Sequence, residues 1–167
     1  AGGQAVSDIW TGGCQCGAIR YRFTKRPDDV SLCHCRMCQK ATGGVFGAFA
    51  GGQLETFGVT RGSLSIFRSS AAVERGFCSG CGTPLTFQRV GGKQISVTVG
   101  SLDHPEDFPP LEQTCPDGRL PYVFDLHNVP DLPPIDEVAP DLANSISLSN
   151  HQHPDRDTDR WPDPSLG

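Results

Sequence analysis

Residues 33–38 read CHCRMC and put three thiols into six positions, with His34 and Arg36 among them and Lys40 just beyond. Five further cysteines stand in GGCQCG (Cys14, Cys16), in FCSGCG (Cys78, Cys81) and alone at Cys115. Clustered thiols can cross-link, enclose a soft metal ion, or hold such an ion partly open for reaction. Spacing separates these chemistries. In an extended chain, residues i and i+2 face the same way. Cys14 and Cys16 therefore aim at one point with Gln15 turned away, and Cys33 and Cys35 do the same with His34 turned away. CSGC and CRMC have the turn spacing by which two thiolates grip one tetrahedral ion at about 2.3 Å.

A partition follows. Cys14 and Cys16 supply two ligands, Cys78 and Cys81 two more, and together they make a closed four-sulfur zinc site of the structural kind. Judged from small zinc modules, such a site contributes on the order of 10–16 kcal/mol of apparent binding free energy to folding. Cys33, Cys35 and Cys38 remain. Three protein ligands leave a fourth tetrahedral position, the usual arrangement of a catalytic zinc. Two Zn²⁺ per chain are expected, and a thiol entering the second site would bind as thiolate. Three other assignments compete. A disulfide framework is disfavoured by tight Cys-x-Cys spacing, which strains local bridges. One zinc with a group of free thiols is the second. His34 as a fourth ligand is the third, against strand alternation. Cys115 reads as an ordinary core or surface residue.

These ligands need short, well-placed elements. AIRYRF (18–23), LSIFRS (64–69), LTFQRV (85–90) and ISVTVG (95–100) alternate as half-buried strands do. VGGKQ between the last two reads as a hairpin turn on Gly91 and Gly92. VFGAFA (45–50) and QLETFG (53–58) add two short strands around Gly51-Gly52. One short helix is expected near Arg36–Ala41, ended by ATGG. Short strands at regular spacing predict a mainly β, antiparallel domain. From Pro105 the texture turns rich in Pro and Asp, which predicts irregular chain. The folded domain is expected over 5–134, with 135–167 a mobile or loosely docked tail. No structure is read into the opening AGGQA.

Composition sets limits. The 167 residues suffice for one domain with a real core, although hydrophobic content is only 37%. Gly 20 and Pro 14 favour turns over long helices. A net charge of -5 argues against a nucleic-acid partner. No apolar run approaches the roughly 18 residues of a membrane span. The expected location is the cytoplasm, where clustered cysteines more often hold metal than form bridges.

The blocks GGCQCGAIRY, CHCRMCQKATG, ERGFCSGCGTPL and VTVGSLDHPEDFPP, in that order, resemble the glutathione-dependent formaldehyde-activating (GFA) enzyme family, also called the centromere protein V/GFA domain. GRLPYV (118–123) is similar to a further Arg-Leu-Pro-aromatic block of that family. The resemblance covers roughly residues 10–125. It implies an Mss4-like fold of twisted antiparallel sheets with zinc knuckles. It also implies a structural zinc at Cys14, Cys16, Cys78 and Cys81, and a second zinc at Cys33, Cys35 and Cys38. The implied activity is carbon–sulfur lyase chemistry, joining a thiol such as glutathione to a small aldehyde such as formaldehyde. Gln15 stands where many relatives carry His, and the Pro/Asp-rich tail has no counterpart in the family pattern.

Candidate substrate clamps are Arg36, Lys40 and Arg119, because guanidinium forks match carboxylates. Each is equally readable as a solvated surface charge. Arg75, just before the second knuckle, is a substrate ligand or a structural ion pair. His34 is a candidate proton carrier or a hydrogen-bonded structural histidine. Gly100–Asp103 either lines the site or ends a strand. The alternative to an enzyme is a zinc-stabilised module that binds thiols or a protein partner without chemistry.

Overall fold

The computed structural model describes residues 9–162. The expected domain start at residue 5 and the last five residues of the expected tail lie outside them. The chain is mainly β, as its alternating segments require. A three-stranded antiparallel sheet has the order β1 (Trp10–Gly13), β2 (Arg20–Phe23), β5 (Phe57–Arg61). The other sheet has seven strands: β10 (Glu112–Thr114), β3 (Asp29–Cys33), β4 (Gly47–Gln53), β9 (Gln94–Thr98), β8 (Pro84–Arg89), β7 (Val73–Phe77) and β6 (Ser65–Ser70). All its pairings are antiparallel except β10 with β3, which is parallel.

Alternation in the strands separates a core face from a cavity face. Tyr21 and Phe23 of β2 meet Val30, Ala50, Leu85, Ile95 and Val97 from the seven-stranded sheet in one buried cluster. Asp29, Ser31 and Cys33 of β3, Phe49 of β4, and Gln94 and Ser96 of β9 face a cavity instead. A one-residue slip would exchange these two sets, so register is tightly specified.

The Gly91-Gly92 hairpin joins β8 to β9, and Gly43 ends helix α1 (Arg36–Thr42), both as expected. Gly51-Gly52 differs. The strand expected over 45–50 runs on through both glycines as β4, paired on both sides, while most of the strand expected over 53–58 is a 3-10 turn (Leu54–Thr56), and β5 begins only at Phe57. Packing explains this: a Cβ on Gly52 would lie 3.0 Å from the Phe23 ring. The glycines admit a core aromatic rather than turn the chain.

Beyond residue 134 the chain forms α2 (Ile135–Val138) and α3 (Pro140–Ser149), then an extended segment. That segment returns to the first knuckle. His153 N donates to Gln15 O at 2.7 Å, Trp161 Nε1 donates to Cys16 O at 2.6 Å, and Asp157 pairs with the buried Arg20 at 2.9 Å. Among the described residues no helix is long and apolar enough to cross a membrane.

Candidate metal centre

The first cluster sits where the two sheets meet. Cys14 and Cys16 follow β1 of the small sheet, and Cys78 and Cys81 follow β7 of the large one. Their sulfurs all lie within 4.8 Å of one another, with Cys14–Cys16 at 3.7 Å and Cys16–Cys78 at 3.9 Å. Each knuckle closes on a glycine in the left-handed region, Gly17 (φ +78) and Gly82 (φ +79), a conformation costly for residues with a Cβ. Cys14 and Cys78 belong to the hydrophobic core, and Cys16 and Cys81 pack against it.

Burial pushes the Cys14 thiol up to about 12. At Cys81 burial acts in the same direction, but the Thr83 hydroxyl and backbone outweigh it and bring the thiol down to about 6. All four cysteines are free thiols. Four converging soft donors, largely removed from water, suit a tetrahedral Zn²⁺.

The second cluster lies on the other face of the large sheet. Cys33 ends β3. Cys35 is the N-cap of α1, its sulfur accepting from Cys38 N at 3.4 Å. Cys38 is thus held in the first helical turn, and the CRMC spacing is a capped helix start. The three sulfurs also lie within 4.8 Å of one another. Burial pushes Cys38 up to about 12, against a hydrogen bond from Arg75. Cys33 feels burial too, but the Thr114 hydroxyl and the Cys35 backbone hold it down at about 7. This three-sulfur set fits the same ion with one position to spare.

It opens on a cavity of about 890 Å³, within the range of small-molecule sites. Arg75 is buried at its wall. Its Nη2 donates to Cys38 Sγ at 3.5 Å, and its guanidinium stands 5.1 Å over the Phe87 ring. Asp29 and Glu112 line the cavity from β3 and β10, and Arg89 and Lys93 line it from β8 and the hairpin. The opposed charges thus come from opposite sides of the sheet.

The other candidates stand elsewhere. Arg36 and Lys40 are exposed on α1 and do not line the cavity. His34 is fully buried and outside both thiol sets. Its Nε2 lies 2.8 Å from Gln113 Oε1, and its Nδ1 has no partner among the described residues. Arg119 lies behind it, donating to Gln113 Oε1 at 3.2 Å and stacking 4.5 Å over Phe124. Gly100–Asp103 faces the three-stranded sheet: Asp103 takes a bidentate hydrogen bond from the buried Arg20, and Ser101 bonds Tyr21 at 2.8 Å. Sequence reasoning missed Phe49, Phe87, Arg89, Lys93 and Thr114, which converge only through strand pairing.

Comparison with known proteins identifies the family. The family model described as glutathione-dependent formaldehyde-activating enzyme matches residues 9–115. An uncharacterized lyase of Schizosaccharomyces pombe is 32% identical over 84 residues, covering 50% of this chain and 61% of its own. A putative glutathione-dependent formaldehyde-activating enzyme of Halomonas elongata is 34% identical over 85 residues, covering 44% of this chain and 52% of its own. The matches thus span between half and two thirds of these relatives' length. A crystal structure of a Rhodobacter sphaeroides protein superposes with a TM-score of 0.52 at 25% identity, over 62% of this chain and 99% of the other. The chain belongs to the glutathione-dependent formaldehyde-activating enzyme family.

Proposed function

We propose that this chain is a zinc-dependent carbon–sulfur lyase-type enzyme that adds a thiol of the glutathione class to a small aldehyde, and catalyses the reverse cleavage. The carrying observation is an asymmetry. Four sulfurs are packed against the core, while three line a cavity large enough for a peptide-like thiol. Zn²⁺ at Cys33, Cys35 and Cys38 would supply ionisation and placement of the substrate thiol.

The protein's own groups do the rest. Asp29 and Glu112 attract an ammonium group, and Arg89 and Lys93 attract carboxylates, so the cavity orients a zwitterionic peptide. Phe49 and Phe87 cover its apolar stem. The thiolate sulfur attacks the carbonyl carbon, a C–S bond forms, and the carbonyl π pair moves to oxygen. The proton given up by the thiol ends on that oxygen, giving a hemithioacetal. Arg75, next to the cluster and largely dry, faces the charge developing on oxygen. The names of the matched relatives point to the same reactants.

The test is calorimetric binding of glutathione to the zinc-loaded chain, followed by NMR of hemithioacetal formation from ¹³C-formaldehyde. Saturable binding with exchange faster than the uncatalysed background is expected. Binding without acceleration would leave a thiol carrier, and no binding would remove the reading.

A further inference from the structure

The addition just proposed, on which this inference rests, gives a carbon with three distinct neighbours: the thiol sulfur, the former carbonyl oxygen, and whatever group the aldehyde carried. The thiol cavity and Arg75 account for the first two. A second cavity, of about 350 Å³, is placed to account for the third. It shares two walls with the thiol cavity, Phe49 and Arg75. Strand pairing explains the junction. Phe67, Arg75 and Phe87 stand opposite one another across β6, β7 and β8, and directly opposed residues share a face of the sheet. Phe87 lines the thiol cavity and Phe67 the second one, so Arg75 divides them. On the other side, Ala41 and Thr42 follow Cys38 by one turn of α1 and line the second cavity.

The lining is apolar in effect. Ala41, Phe67, Phe77 and Pro84 present carbon. Three threonines also line it, but the main chain already engages each hydroxyl. Thr42 Oγ1 donates to Cys38 O at 2.9 Å, Thr98 Oγ1 donates to Pro84 O at 2.7 Å, and Thr86 Oγ1 accepts from Gly76 N at 3.1 Å. The one charged group is Arg75. Its Nε donates to Ser69 Oγ at 3.3 Å and its Nη2 to Cys38 Sγ at 3.5 Å, which leaves Nη1 for an oxygen. Among the described residues no carboxylate pairs with it. Phe67 is 61% exposed, so a large aromatic surface stands in water at this cavity, where a guest would cover it.

We propose that this cavity binds an apolar substituent of the second substrate, which is therefore an aliphatic or aromatic aldehyde rather than formaldehyde. A benzene-sized group fits an apolar cavity of about 150 Å³, so a ring or chain of roughly six carbons fits here. The carbonyl carbon lies at the junction, with its oxygen toward Arg75, its substituent between α1 and Phe67, and its open face toward the thiol cavity. The sulfur attacks that carbon, the C–S bond forms, the carbonyl π pair moves to oxygen, and the proton given up by the thiol ends on that oxygen. Formaldehyde would react in the same place but leave the second cavity empty.

The test uses the zinc-loaded full chain with glutathione and the straight-chain aldehydes from ethanal to hexanal, reading hemithioacetal exchange by NMR against the uncatalysed background. Catalytic efficiency should rise about threefold for each added methylene, and hexanal should surpass formaldehyde. Ala41→Phe fills the cavity and should lower the preference for hexanal over formaldehyde roughly tenfold. Ala41→Leu fills it less and should lower the preference less, and circular dichroism checks that each variant folds. Binding of 1-hexanol, which has the chain but no carbonyl, gives a readout without catalysis. Saturation-transfer NMR should detect it on the wild type and lose it in Ala41→Phe. A flat or falling aldehyde series, or equal hexanol signals in the two proteins, with glutathione bound and formaldehyde accelerated, would overturn the apolar site and spare the thiol–aldehyde reading. Failure to bind glutathione, or to accelerate any aldehyde, would overturn both.

Discussion

Single side chains decide what the three-sulfur cluster can do. Cys38 is pushed up to about 12 by burial, whereas Cys33 is held near 7 by hydrogen bonds that outweigh its burial. The lower group is thiolate to a large extent at neutral pH and the higher one is not, and thiolate is the reactive form. In protein stripped of metal, iodoacetamide at pH 7 should therefore alkylate Cys33 well before Cys38, and zinc should protect both. Mass spectrometry of the peptide 30–40 region reads this order. Arg75 is the second decisive group. Arg75→Gln keeps a polar side chain at the wall but removes the charge. It should lower turnover about 10²-fold, the usual effect of losing one donor to a developing oxyanion, with zinc content unchanged. An equal loss of zinc would make Arg75 a structural group. The cysteines were legible at this scale because a ligand's spacing is local. Arg75 was legible only as a neighbour of FCSGCG. Its aromatic partner Phe87 and the basic Arg89 were not, because they reach the site through the β7–β8 and β8–β9 pairings.

At the scale of elements, the segment 150–162 is the least expected feature. No periodicity marks it, because it docks through isolated contacts rather than a repeating apolar face. His153 is buried against Gly17, where a Cβ would fall 2.1 Å from the ring. Its Nε2 lies 3.3 Å from Arg61 Nη1 and 3.1 Å from Thr158 Oγ1, and Arg61 also reaches the Thr158 carbonyl. Burial, together with nearby Arg20 and Arg61, holds His153 below its ordinary value, although the main-chain carbonyl of Pro154 opposes this. A group depressed in the folded state stabilises docking above its unfolded value and loses that contribution as pH falls through the folded one. The strap should therefore loosen in acid below about pH 6.5. Zinc transfer from Cys14, Cys16, Cys78 and Cys81 to a chromogenic chelator should accelerate between neutral pH and pH 5.5. His153→Gln should release zinc faster at neutral pH and show a shallower acid dependence, the remaining slope coming from thiolate protonation. Identical profiles for the two proteins would mean that the strap does not guard the knuckle. Gly51-Gly52 teaches the converse: a doublet that reads as a turn is strand when a core aromatic needs the space.

Across the molecule the sulfurs gather in a set of four and a set of three, the partition that the sequence spacing also gives, because ligand spacing is local. What spacing cannot show is where the clusters lie. One joins the end of the three-stranded sheet to the end of the seven-stranded sheet and shares their core. The other hangs on the outer face of the larger sheet, one edge strand away from solvent. Removing the first should uncouple the sheets and expose Tyr21, Phe23 and Leu85, whereas removing the second should cost mainly local order around α1. A zinc ion at the first site would contribute on the order of 10 kcal/mol, comparable with the whole stability of a domain this size. Cys16→Ser should therefore abolish cooperative thermal unfolding or lower its midpoint by tens of degrees, with about one helix turn's change in circular dichroism at most for Cys35→Ser. Stepwise chelation of the wild type should remove one zinc at low chelator strength with the melting transition retained, and the second only as the transition is lost. Loss of both ions in one step, or equal damage from Cys16→Ser and Cys35→Ser, would show that the two sites share one structural duty.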